Sequence, residues 1–282
     1  MSDKLGKIVT ISTKSSSCKI SSFGAHVLSW KCKGEERLFL SKKAVMDGSK
    51  AIRGGIPLVF PQFGQPSKSL PSHGFARISM WDVLEKKEID SKSTVVFVLK
   101  PGSIAAALRD KFDYDFELKY RVCLTETNLS ISLEVTNCGS KNFSCQMLLH
   151  TYLKVGAIEK TKISGFAAGE YSDKLKEGKT FTQSDSKSQV ITEETDRIYK
   201  GPYNRKRIEI EDVISIENDS DKPCDVVLWN PWIAKSKRMS DLDDNEYHNF
   251  VCVEPGIVDQ PTVVVPGGCV RLSQTLTPHS KL

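Results

Sequence analysis

Apolar and polar residues alternate one for one along most of this chain. The runs KIVTIST, AHVLSWKC, RLFLS, TVVFVLK, FELKYRVCL, LSISLEV, RIEIEDVISIEN, DVVLW and CVRLSQTL each put every second side chain on one face, the period of a half-buried β-strand. The polar tetrapeptide TETN between FELKYRVCL and LSISLEV suits a hairpin, and Gly and Pro punctuate most other junctions. Helical patterning is confined to SIAAALRD at 103–110, with Ser103 in the capping position, and to a weaker turn around 235–246. Many strands and almost no helices predict an all-β fold, a sandwich of antiparallel sheets. Without an internal repeat or a long linker, residues 1–282 read as a single domain. The Ser/Lys-rich piece from Phe181 to Gln189 reads as a surface loop, and 279–282 as an exposed tail beyond Pro278.

Composition narrows the classes of function. The chain of 282 residues is long enough for a substantial core, and no apolar run approaches the length of a membrane-spanning helix. The polar start MSDKLGKIVTIST lacks the apolar stretch of a secretory leader. A formal charge of +5 arises from basic residues scattered among 35 acidic ones, so a nucleic-acid partner is not expected. None of the eight cysteines forms a CxxC pair, so neither zinc nor a redox dithiol is signalled. A G-x-G-x-x-G loop and HxH or HExxH spacings are also absent, so neither a nicotinamide cofactor nor a metal is expected. The last three residues, Ser280-Lys281-Leu282, match the receptor-read peroxisomal address, which predicts an import receptor as partner and a peroxisome-related location.

Four segments carry residues suited to chemistry. In IRGGIPLVFPQFGQPSKSLPSHGFAR, Gly54 and Gly55 permit close backbone approach, and Pro57 and Pro61 fix the path. Arg53 and Arg77 stand at either end of this stiff loop, an arrangement able to aim two guanidinium forks at one anion. In FSCQMLLHTYLKV, His150 follows an apolar run and is either a satisfied core histidine or a proton carrier. In LWNPWIAKSKRM, Trp229 and Trp232 flank an Asn-Pro turn, where they either stack on a sugar face or cover the core. In NFVCVEPG, Glu254 stands at the end of an apolar strand before Pro255-Gly256, where partial burial would raise its pKa toward that of a working base.

Taken together, RGGIPLVFPQFG, HGFAR, LLHTYL, WNPW and FVCVEPG, in that order, resemble the hexose-6-phosphate mutarotases, or glucose-6-phosphate 1-epimerases, of the aldose 1-epimerase-like group. The resemblance spans about residues 20 to 275. It implies a galactose-mutarotase-like β-sandwich with its site on the concave sheet, acting on a hexose 6-phosphate without cofactor. By motif match, His150 is implied as general acid and Glu254 as general base. Arg53, Arg77, His73 and Asp196 match substrate-binding positions. Ser72 stands where relatives usually carry glutamine, and Ile78 where asparagine is common, which bears on substrate preference more than on reaction type. Two other readings remain on the sequence: a mutarotase of unphosphorylated aldoses, and a non-catalytic sugar-phosphate binding protein on the same fold.

Overall fold

A computed structural model of the protein describes residues 5–89, 91–166, 169–183 and 188–279, with the backbone alone at 202 and 203. The terminal Ser280-Lys281-Leu282 lies outside the described residues. The alternation seen in the sequence becomes an alternation of burial. Along Leu129–Asn137 every odd residue is enclosed and every even one half-exposed, and Phe116–Thr125 follows the same rule in the opposite register. Leu133 lies across from Tyr120 on one side and Leu272 on the other, so three neighbouring strands present one apolar face.

Two very long strands organise the molecule. Thr195–Ile210 and Ile214–Asn230 pair antiparallel along most of their length, and each passes through both layers of the sandwich. In the outer layer, residues 214–220 pair with Cys269–Pro278, which leads through Leu129–Asn137, Phe116–Thr125 and Lys92–Leu99 to the edge strand Asp82–Ile89. In the inner layer, residues 225–230 pair with Phe250–Val264, which leads to Phe143–Leu149 and then Leu58–Val59. On the other side, residues 195–199 pair with 226–230, and 197–199 pair in turn with the strand Glu170–Asp173. A smaller sheet of Ile8–Ser12, Ser16–Ser21, His26–Cys32 and Glu35–Glu36 packs beside them.

The inner strands are covered on both faces, which is why DVVLW and NFVCV read as near-continuous apolar runs. Val226, Leu228, Val251 and Val253 face the main core between the layers. Val227, Trp229, Phe250 and Cys252 face a second apolar cluster on the opposite side. Glu254 shares the parity of Phe250 and Cys252 and lies on that second side.

Several sequence expectations are corrected. The strand carrying Glu254 does not end there: it runs from Phe250 to Val264 through Pro255-Gly256, with a register shift opposite Cys145 and Met147. Ser103 caps nothing, because a 3-10 turn at Pro101–Ser103 precedes a four-residue helix, Ala106–Arg109, whose N-cap is Ala105. The second helix is Trp232–Ser236, ahead of the expected 235–246, and a 3-10 turn follows at Glu246–Asn249. RLFLS forms isolated bridges at Leu38 and Leu40 rather than a regular strand. The ends of the expected Phe181–Gln189 loop are strand, at Lys179–Thr182 and Ser188–Gln189, while 184–187 lie outside the described residues. His279 is no free tail: its N–H bonds Val213 O at 3.0 Å and its ring meets Ser215 Oγ at 2.9 Å.

The segment 52–77 is held by its glycines and by a knot of rings. Phe60, Phe75, Phe112 and Phe116 meet at centroid distances of 5.4 to 5.9 Å, and burying each such ring contributes about 1.5–3 kcal/mol. Gly74, at φ +70°, lies so close to Phe60 that an added Cβ would stand 2.0 Å from its carbonyl oxygen. That neighbour is backbone and cannot swing aside. Gly74→Ala is therefore expected to cost at least about 3 kcal/mol in denaturant unfolding, against about 1–2 kcal/mol for a positive-φ glycine in open space. Gly34, at φ +79° with nothing within 4 Å, supplies that control as Gly34→Ala.

Candidate active site

Above the second apolar cluster lies a cleft of about 430 Å³. His150 follows the end of the Phe143–Leu149 strand, where its N–H bonds Pro57 O at 3.0 Å. Glu254 stands mid-strand, directly opposite Val227 in the neighbouring strand. The two strands bring His150 Nδ1 within 3.3 Å of Glu254 Oε1. Both side chains line the cleft, yet they are only 7% and 1% exposed.

Their surroundings shift both groups toward neutrality. Burial, followed by the charges of His73, Arg77 and Arg53, pushes the His150 imidazole well below its ordinary 6.5. Burial, followed by the charge of Asp196, lifts the Glu254 carboxyl well above its ordinary 4.5. The imidazole stacks on Tyr152 at 4.7 Å and meets the edge of Trp229 at 5.8 Å, which fixes its plane. His150 Nδ1 and Glu254 Oε2 have no hydrogen-bond partner among the described residues. Two buried polar atoms left open at a cleft mark a place for a ligand's polar groups.

All six residues expected from the sequence line this one cleft. Their states differ from expectation in one respect: the two arginines are not equivalent. Arg53 Nε lies 3.2 Å from Asp241 Oδ1, and Arg53 Nη1 donates to Tyr152 Oη at 2.9 Å. Burial works against the Arg53 charge, but Tyr152 and Asp241 more than offset it and hold its pKa above the ordinary guanidinium value. Arg77, half-buried, donates to the Ser72 carbonyl at 2.8 Å and has no carboxylate ion pair among the described residues. Burial and the neighbouring Arg53 lower it to about 10, so it keeps its charge at neutral pH while lacking a counter-ion. The departure at Ser72 also falls on the cleft wall, whereas Ile78 packs against the core.

His73 sits at φ +63°, its Nδ1 accepting from Gly64 N at 3.4 Å, and burial followed by Arg77, Lys174 and Arg53 lowers its pKa well below the ordinary 6.5. Asp196 faces the cleft with its pKa raised by burial, although Lys174 and Lys235 oppose the shift. Trp229 lines the cleft and Trp232 does not: at φ +53° it packs on Tyr247 instead, at 5.2 Å.

Sequence reasoning missed Lys174 and Lys235, both on the cleft wall. Lys235 Nζ lies 3.1 Å from Glu194 and 3.8 Å from Asp196, and Lys174 Nζ sits 4.3 Å above the Phe63 ring. Lys235 belongs to the flagged LWNPWIAKSKRM segment, but nothing in the sequence around Lys174 distinguishes it from a surface lysine. Cys252 brings a third donor atom within 4.8 Å of those of His150 and Glu254. A zinc-type ion could use that set only by deprotonating a wholly enclosed thiol, whose pKa burial and then Glu254 push well above the usual range.

Comparison with known proteins agrees with this architecture. A Cenchrus ciliaris protein provisionally named glucose-6-phosphate 1-epimerase is 34% identical over 273 residues, covering 93% of this chain and 82% of the relative. A crystal structure from Salmonella typhimurium, provisionally described as a mutarotase, superposes with a TM-score of 0.85 at 31% identity, over 97% of this chain and 90% of that one. A galactose mutarotase related enzyme from Lactobacillus acidophilus shares the fold, with a TM-score of 0.74 at 16% identity over 97% and 98% of the two chains. The fold is thus a galactose-mutarotase-like β-sandwich. The family model described as aldose 1-epimerase matches residues 7–277, so the chain belongs to the aldose 1-epimerase family.

Proposed function

We propose that the protein is an isomerase that interconverts the α and β anomers of hexose 6-phosphates, glucose 6-phosphate among them, with His150 and Glu254 as its acid–base pair. The observation that carries the reading is the buried pair itself, two titratable groups 3.3 Å apart whose residues line a sugar-sized cleft. Membership of the aldose 1-epimerase family supports the reaction type, and the relatives named for glucose 6-phosphate support the substrate. A protein that only bound the sugar would gain nothing from enclosing an acid and a base.

The chemistry follows from a single proton held by the pair. In one arrangement Glu254 is a carboxylate and His150 an imidazolium. Glu254 takes the proton of the C1 hydroxyl while His150 delivers one to the ring oxygen. The C1–O bond of the ring breaks, leaving an open-chain aldehyde beside a carboxylic acid and a neutral imidazole. Rotation about C1–C2 presents the other face of the aldehyde. In closure His150 removes the proton from the attacking hydroxyl, and Glu254 returns its own to the aldehyde oxygen. Burial favours the neutral arrangement, so the enclosure of the pair lowers the cost of the open-chain state. His73, Trp229 and Asp196 face the same space and are placed to hold the sugar.

Arg77 supports the phosphorylated substrate over a plain aldose. It is a charged guanidinium on the same cleft as Lys174 and has no carboxylate ion pair among the described residues, whereas Arg53 is already occupied by Asp241 and Tyr152. A phosphate on Arg77 gains charge-assisted hydrogen bonds worth about 1.5–3 kcal/mol each. We further propose that Ser280-Lys281-Leu282 engages a peroxisomal import receptor and carries the chain to a peroxisome-related organelle.

Three outcomes are expected. In NMR exchange spectroscopy of glucose 6-phosphate, Glu254→Gln and His150→Ala each slow anomer exchange by at least about 10² while the fold persists. A folded variant exchanging at the wild-type rate would remove that residue from the mechanism. The pH profile of kcat/KM follows from the same pair. Activity needs one shared proton, so it falls on the acid side where His150 takes a second, below the ordinary 6.5. It falls on the alkaline side where Glu254 loses the last one, above the ordinary 4.5.

For the arginines, Arg77→Ala should lower kcat/KM for glucose 6-phosphate by about tenfold to a hundredfold, change glucose turnover much less, and be partly restored in Arg77→Lys. Arg53→Ala should lower both substrates together, because it also takes from Tyr152 its guanidinium partner and leaves Asp241 with Lys50 alone. Equal losses for both substrates in Arg77→Ala would send the search for the phosphate site elsewhere. For location, a fusion with a free C-terminus should concentrate in peroxisome-type organelles and lose that pattern when Leu282 is deleted. A uniform cytosolic signal from the intact chain would defeat the targeting proposal.

A further inference from the structure

The strand Cys269–Pro278 turns alternate residues inward: Val270, Leu272, Gln274 and Leu276 occupy successive buried slots. Three of these are apolar, as the pattern demands. Gln274 is not, yet it is wholly enclosed. Burying an amide without partners costs on the order of 2–7 kcal/mol, so a glutamine in an apolar slot needs its bonds accounted for. Its Oε1 accepts from Thr151 Oγ1 at 2.6 Å. Its Nε2 donates to the Val253 carbonyl at 3.1 Å and to Asn218 Oδ1 at 3.0 Å. Thr151 and Asn218 are also fully buried.

The partners matter because of where they stand. Thr151 is the residue after His150, and Val253 is the residue before Glu254. Val253 N also reaches back to Thr151 O at 3.3 Å. One amide from the outer layer therefore bridges the gap between layers and clasps both points from which the acid and the base are hung. The carbonyl of Val253 can only accept, which fixes the Nε2 side of the amide and leaves Oε1 to Thr151. Asn218, directly across from Gln274 in the neighbouring strand, holds the second proton of that nitrogen.

We propose that Gln274 is a positioning residue that sets the separation and orientation of His150 and Glu254 from behind the sheet, through Thr151 and Val253. The proposal rests on the acid–base reading of that pair. A misplacement of about 1 Å between reacting groups can cost on the order of 10² in rate, so the bridge need not touch substrate to matter.

The test uses the full-length protein with glucose 6-phosphate. Gln274→Leu keeps the volume and removes all three bonds, and Thr151→Val removes one. Both should lower kcat by about tenfold or more while KM stays within about twofold, because the groups that hold the phosphate and sugar are untouched. Thr151→Ser, which keeps the hydroxyl, should restore kcat. In the Glu254→Gln background, Gln274→Leu should lower kcat by a much smaller factor than in wild type, because the bridge acts through the pair.

If folded Gln274→Leu and Thr151→Val both turn over at the wild-type kcat, the proposal fails. It fails equally if the loss matches the fraction of protein unfolded, or if Gln274→Leu is as damaging in the Glu254→Gln background as in wild type. Should Gln274→Leu not fold, the contrast between Thr151→Val and Thr151→Ser decides alone. Failure of the underlying acid–base reading is seen separately, as undiminished exchange in the single variants Glu254→Gln and His150→Ala.

Discussion

A carboxyl group 1% exposed in the middle of a β-strand, with one oxygen lacking any hydrogen-bond partner among the described residues, is the constraint on which this molecule is arranged. Leaving Glu254 ionised there costs far more than at a surface, and among the described residues no lysine or arginine forms an ion pair with it. Lys174 and Arg77 act on it only through space, and the nearest group, His150, is itself driven toward neutrality. Burial therefore favours the neutral form of both groups, a perturbation of the kind that marks candidate acid–base residues. Nothing local to Glu254 maintains this. It depends on strands covered on both faces, and hence on the two long strands that carry one sheet into the other.

The enclosing surfaces are almost entirely sheet. Val227 lies opposite Glu254, Trp229 opposite Cys252, and Tyr152 pairs with Cys252 on the other side, so the groups around the pair share one hydrogen-bonded ladder. Such positions move little, and geometry set by a ladder is held more tightly than geometry set by a loop. Polar residues in otherwise apolar slots, Gln274, Asn218 and Thr151, then connect that ladder to the layer behind it. Bonded to one another they remove freedom, although Asn218 Nδ2 has no partner among the described residues.

Most of this fold was legible in the alternation of apolar residues, because alternation is the direct imprint of a sheet with one wet face. It failed where both faces are dry or where local rules yield to tertiary packing. Pro255-Gly256 suggests a turn after Glu254, but Asp225 lies across from Gly256 and Val226 from Pro255, and the neighbouring strand keeps the chain extended through both. Ser103 suggests a cap, but Pro101 opens a tighter turn first. Within the site, His150, Glu254, His73, Arg53 and Arg77 came from ordered motifs and Asp196 from the resemblance, and all six converge on one cleft. Asp241, Lys174 and Lys235 did not, since an ordinary charged residue in a polar stretch carries no mark of the partner it will meet. Asp241 lies 188 residues from Arg53 in sequence, and no local pattern could join them.

That division of legibility follows a division of labour. The proposed acid–base pair lies in the enclosed floor of the cleft, Glu254 within an apolar strand and His150 just past the end of another. The cations at its rim, Lys174 in a 3-10 turn and Arg77 in another, lie on connecting segments where sequence constrains structure least. On the proposed function, rate and substrate preference are thus set in separate places, the buried pair and the rim. The floor needs burial, and burial fixes its residues against change, because altering one disturbs the protonation of the other. The rim needs only charge and reach. A residue such as Ser72, exposed at the cleft wall, can vary there without altering the environment that holds the shared proton. On the proposed function, a change at the rim would alter which sugar is held and leave the proton exchange of the buried pair unchanged.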